Sequence, residues 1–214
     1  MIVSIQRELG AGGLSVGEAI ASELGATLLD ERTIIEQLAQ RGGFSAEYLQ
    51  RIDERPPTFA NSFMSDLARA TALVQAMEWR STEHAVLDEI RTLVIEALER
   101  GHVVLIGHGG CMLLSGIHPR EEMFSIFLHA GKAWRIEQVQ QRFGWSHEEA
   151  SERVRRTDEL RRKYLQHFFS ADLYDARKYD LVLNTERIGI EAATEIATST
   201  LRATLASNQA ALRR

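Results

Sequence analysis

The chain has 214 residues, 44% hydrophobic and 26% charged, which is enough for one sizeable domain and too ordinary a composition for wholesale disorder. Its 25 basic and 30 acidic residues leave a net charge of −5 with neutral histidines, which excludes the basic footprint of a general nucleic-acid binder. A single cysteine, Cys111, excludes an intrachain disulfide and fits a reducing, cytoplasmic home; no apolar run approaches the roughly 18 residues of a membrane span, and the first charges come too early for a signal peptide.

Residues 2–5 predict a short strand, rich in β-branched side chains, that runs into the turn Gly10-Ala11-Gly12-Gly13. Val16, Ala19, Ile20 and Leu24 then recur at helical spacing until Gly25 stops the helix. Residues 26–30 read as a second short strand that ends in an acid, Asp30. Residues 31–54 read as helices, with Ile34, Ile35 and Leu38 on one face, a break at Gly42-Gly43 and a new start at Ser45. Pro56-Pro57 ends that run. Residues 58–100 are alanine-rich and helical in pattern, closing on Leu87, Ile90, Val94 and Leu98 before Gly101. Residues 103–106 are apolar throughout, as suits the centre of a parallel sheet covered on both faces. Residues 124–128 and 181–184 predict the fourth and fifth strands, with long helices between and after them. The expected fold is α/β: a doubly wound sheet of about five parallel strands with helices on both faces.

A strand, a glycine turn and a helix start bring backbone N–H groups and a helix dipole together on an anion. Two patterns compete for this loop. In the dinucleotide pattern, Gly10 and Gly12 begin G-x-G, and Asp30 stands where an acid would hold a ribose hydroxyl, but Ser15 breaks the third glycine. In the phosphate-loop pattern, Gly13-Leu14-Ser15 ends G-x-x-x-x-G-K-[ST], with Ser15 as a Mg²⁺ ligand. There Leu14 replaces the lysine, Glu8 the first glycine, and no lysine occurs before Lys132. Only three of the 25 basic residues are lysines; the others are arginines, whose planar forks suit phosphate.

The segment from Gln6 to Gly13 with Val16-Gly17 resembles the opening of the cytidylate kinase-like family, a branch of the nucleoside monophosphate kinases. Leu29-Asp30-Glu31-Arg32 with Ile34-Ile35, then residues 104–109, are similar to its next conserved segments. Residues 155–161, Tyr164 and Phe168-Phe169 resemble its arginine-rich lid, and residues 179–185 its last strand. The resemblance implies a P-loop kinase-like fold in one domain over residues 1–214. A helical insertion on the acceptor side would occupy about 31–100, and a lid about 135–170. It implies phosphoryl transfer from ATP, with Mg²⁺, to a nucleoside monophosphate such as CMP. It also implies roles for single residues. Arg7 and the loop Gly10, Ala11, Gly12, Gly13, Leu14 and Ser15 would hold the donor, and Asp30, Arg32 and His108 would line the acceptor side. Arg135, Arg155, Arg156 and Arg161 would stabilise the transferring group, oriented by Asp158.

Leu14 and His108 stand where the family carries cations, and no aspartate follows the third strand. These departures support a second reading, a nucleotide-binding regulatory protein with weakened catalysis. A nicotinamide-dependent oxidoreductase is the third. The seven histidines show no metal spacing, Cys111 reads as a buried inert thiol, and the tryptophans are too scattered for base stacking. Residues 58–100 either cover the acceptor site or meet another subunit of a homo-oligomer.

Overall fold

The computed structural model describes residues 1–41 and 75–212; the helix break at Gly42-Gly43, the start at Ser45 and Pro56-Pro57 lie outside them. The elements in order are β1 (Ile2–Arg7), α1 (Gly13–Leu24), β2 (Thr27–Leu29), α2 (Glu31–Gln40), α3 (Gln75–Arg100), β3 (Val103–Ile106), α4 (Gly110–Leu113), β4 (Met123–His129), α5 (Lys132–Phe143), α6 (His147–Phe169), β5 (Leu181–Asn184), α7 (Thr185–Ile188) and α8 (Ile190–Leu212). The five strands form one parallel sheet in the order β2-β3-β1-β4-β5.

Period-two alternation sorts the strand side chains into two cores. Val3 and Ile5 of β1, Val104 and Ile106 of β3, and Ile126 and Leu128 of β4 face α1 and α8, meeting Val16, Ile20, Ala193, Ala197 and Leu201. Ile2, Val103, Leu105 and Met123 face the other way, against Ile34 and Leu38 of α2 and Ile90, Leu93 and Val94 of α3. Both faces are therefore covered, which is why the central strands read as unbroken apolar runs. Leu165, near the carboxyl end of α6, packs against Phe127, Leu173 and Tyr179 beside the second core.

β1 feeds α1 toward β2 at one edge, while β4 connects to β5 at the other. The carboxyl end of β1 is thus the topological switch point, the place where open parallel sheets bind their ligands. No helix among the described residues is long and apolar enough to cross a membrane.

Candidate active site

Residues 8–12 turn over the carboxyl edge of the sheet between β1 and α1. Gly10 holds a φ of 88° and has no room for a side chain, since a Cβ there would lie 2.6 Å from the backbone oxygen of Arg135. Helix α1 carries no side-chain cap. The N–H of Val16 donates to Gly12 O (3.1 Å), so the N–H groups of Gly13, Leu14 and Ser15 lie ahead of the intrahelical ladder. They and the positive helix end make a cradle for a polyanion. Ser15 is exposed on that first turn, whereas Leu14 packs against the core under α1.

The arginines around the cradle divide into three kinds. Arg135, on α5, is 4% exposed and paired with two carboxylates. Its Nε donates to Ala130 O (3.0 Å) and lies 3.2 Å from Glu8 Oε2; its Nη1 donates to Leu9 O (3.1 Å) and to Asp158 Oδ2 (2.7 Å). Glu8 in turn accepts from Ala130 N (3.0 Å) and from the Tyr174 hydroxyl (3.1 Å), and Asp158 Oδ1 accepts from Leu9 N (3.2 Å). This network fastens the loop to both helices of the predicted lid. α5 and α6 also share an apolar seam of Ile136, Val139, Ala150 and Val154. Burial, then the Glu8 charge, pushes the Tyr174 hydroxyl up to about 12.

Arg7 and Arg161 are the second kind. Both are partly buried, and among the described residues neither forms an ion pair. Arg161 Nη1 donates to the backbone oxygen of Arg7 (3.0 Å), and the Arg161 charge acts on the Arg7 guanidinium. Burial, then the Arg161 charge, pulls Arg7 down to about 9, against the opposing pull of Glu31 and Asp30. Burial also lowers Arg161, with Glu31 the main opposing charge. Two cations held together without a carboxylate in contact make a site that favours an anion.

Arg155 and Arg156 are the third kind. Arg155 is spent on Glu152 (2.6 Å) and Glu159 (3.4 Å) on the solvent side of α6, and Arg156 is exposed. Asp158 therefore does not orient Arg155 as the resemblance implied. Asp158 turns to the loop and orients Arg135, while Arg155 bonds one turn back along its own helix.

On the acceptor side, Asp30 acts as the start of α2: its Oδ1 accepts from Thr33 N (2.8 Å), and Thr33 Oγ1 accepts from Asp30 N (2.8 Å). Its charge still reaches Arg7 and His108. Arg32 points to solvent, paired with Glu36 at 2.8 Å. His108 holds a φ of 54°, and burial, then the Arg7 charge, pushes its imidazole down to about 3, so it is neutral at physiological pH. Cys111 is pushed up to about 11 by burial, in keeping with an inert thiol. Glu8, Glu31 and Tyr174 escape the sequence patterns. Glu8 had a detectable signal: it continues the alternation of Ser4 and Gln6, so an acid there points inward and needs a cation.

Among the described residues no cluster of three or more histidine, cysteine or carboxylate ligands exists. A Mg²⁺ that keeps its waters and binds through substrate phosphates needs only one protein group, and the exposed Ser15 hydroxyl is of that kind.

The chain is 25% identical over 194 residues to a cytidylate kinase of Ignicoccus hospitalis, covering 91% of this chain and 95% of that one. It is 24% identical over 205 residues to a cytidylate kinase of Pyrobaculum neutrophilum, covering 96% and 95%. Among solved structures, it is similar to an uncharacterised protein from Eubacterium ventriosum, with TM-score 0.66, 18% identity, and 94% and 98% of the two chains covered. A gluconokinase from Sinorhizobium meliloti shares the fold at TM-score 0.50 and 16% identity, covering 94% of each chain. The architecture is that of the P-loop kinases. Matched from its first strand through β5, over residues 2–187, the chain belongs to the cytidylate kinase-like family.

Proposed function

We propose that the protein is a cytoplasmic nucleoside monophosphate kinase, transferring a phosphoryl group from ATP to a CMP-like acceptor. The observation that carries this reading is the pair Arg7 and Arg161 beside an uncapped helix start, two desolvated cations with no carboxylate of the described residues in contact. An acceptor phosphate oxygen attacks the γ-phosphorus, the bond from that phosphorus to the β-bridging oxygen breaks, and ADP leaves. Such a step needs positioned positive charge more than covalent help. The amides of Gly13, Leu14 and Ser15 bind the donor phosphates, Arg7 and Arg161 meet the charge that spreads over the transferring group, and Asp30 faces the acceptor. Arg135 and Asp158 hold the loop in place and do not touch the reacting atoms. Magnesium bound with ATP would neutralise the β- and γ-phosphates, and the exposed Ser15 hydroxyl would hold it.

A coupled ADP-release assay across the common nucleoside monophosphates tests this reading. Turnover greatest with a pyrimidine monophosphate is the expected result; ATP binding without ADP release from any acceptor would replace it with the regulatory reading. One observation favours that second reading: His108, neutral beside Arg7, adds no charge where the family resemblance expects a cation. Loss of one such clamp costs roughly 3 kcal/mol, about a hundredfold in rate. The oxidoreductase reading is set aside by the family to which the chain belongs.

A further inference from the structure

Phosphate loops follow G-x-x-x-x-G-K-[ST] between a strand and a helix, the last glycine closing the loop and the lysine opening the helix. Here the residue before the helix is Gly12 and the first helical residue is Gly13. Laid on that boundary, the pattern moves one residue toward the N-terminus from the frame ending on Gly13-Leu14-Ser15. Gly12 takes the second glycine, Gly13 the lysine position, Leu14 the hydroxyl position with the Ser15 hydroxyl one residue beyond it, and Arg7 the position of the first glycine. The chain thus carries a cation where the pattern has glycine, and a glycine where the pattern has the cation.

The side chains show that the two exchanges are one. A Cβ on Gly13 would lie 2.7 Å from Arg7 Cγ and 3.2 Å from both its Cβ and Cδ. The Arg7 stem therefore fills the space through which a side chain on residue 13 would leave the helix. Beyond it, the Arg7 guanidinium presses on Gly107, where a Cβ would strike Nη1. Its head thus lies against the loop after β3, while Arg161 Nη1 holds the backbone oxygen of the same residue. Only one of positions 7 and 13 has room for a long cationic side chain.

We infer that Arg7 delivers, from the end of the first strand, the phosphate-binding charge that P-loops draw from the first residue of the helix, and that residue 13 is glycine to make room for it. This rests on the phosphoryl-transfer reading and names how its donor site is built without the lysine.

The test is a relocation of the charge, read by ATP affinity from titration calorimetry and by ADP release. Arg7→Gly should weaken ATP binding at least tenfold and slow turnover about a hundredfold. Gly13→Lys alone should also lose binding, because the two stems collide. The double variant R7G/G13K should recover at least tenfold of the affinity lost in R7G. A folded double variant that binds ATP no better than R7G would overturn the inference. Arg7→Gln keeps the stem and removes the charge, so it reports even where the glycine variants do not fold; ATP affinity equal to that of the wild type would likewise overturn it. A wild-type protein that binds no ATP overturns both readings. ATP binding without turnover fails the kinase reading alone, and the affinities then judge Arg7 independently.

Discussion

Arg135 and the pair Arg7–Arg161 surround the same loop, yet the protein uses them in opposite ways. Arg135 meets two carboxylates and two backbone oxygens within 3.2 Å through its Nε and Nη1. Arg7 and Arg161 are also withdrawn from water but sit next to each other, with the nearest acids acting only through space. The first is a bolt between the loop and α5 and α6; the second pair is the anion site of the proposed function. What separates them is the supply of carboxylates, since arginine itself is the same group in both places.

The largest effect should come from breaking the bolt. Arg135→Ala leaves Glu8 and Asp158 buried without their cation, and urea unfolding should show a loss of about 3–5 kcal/mol. A loss below about 1 kcal/mol would mean that the network is not holding the loop. Arg161→Met should do the reverse: stability unchanged or raised, because an unpaired desolvated charge is removed, with ATP-dependent turnover down about a hundredfold. If Arg161→Met melts early and turns over normally, the two regions are not different in kind.

A smaller effect tests the electrostatics of the open corner. His108 titrates near 3 in the folded chain and at 6.5 in the unfolded one. Between those values the unfolded state binds more protons, so stability falls as pH drops below 6.5. The groups acting on the ring are Arg7 and Arg161, which oppose its protonation, and Asp30, which favours it. His108→Asn tolerates the positive φ and removes the titration, so its loss of stability from pH 7 to about pH 4 should be smaller than that of the wild type by on the order of 2 kcal/mol. Equal slopes by urea unfolding would show that the ring is not held neutral. The smallest effect belongs to Arg155, paired at the surface of α6: Arg155→Ala should leave the melting temperature unchanged and turnover within about twofold. A large loss of turnover would return Arg155 to the clamp.

Much of the architecture was legible beforehand because its causes are local. Gly25 ends α1 with a left-handed φ of 58°, and the apolar run at Val103–Ile106 is the strand between β2 and β1, as its composition requires. Asp30 opens α2, and Thr33 three residues on carries the reciprocal bond of a capping pair. The lid segment was harder. Its six bases and two acids within eleven residues form a repeating charge pattern, and periodicity does not say which face meets the loop.

The sequence alone determined the order of strands and helices, the glycine turn at the end of β1 and the family resemblance, since each depends on neighbours within a few residues and on backbone preferences. Only the folded chain decided which of these cations pair with carboxylates of the described residues and which do not. Asp158 reaches Leu9 across 149 positions, and Glu8 reaches Ala130 across 122. The space beside Gly13 is taken by Arg7 from another element. Coulomb energy and excluded volume act through space, so the difference between a bolt and a binding site was settled when distant segments came together.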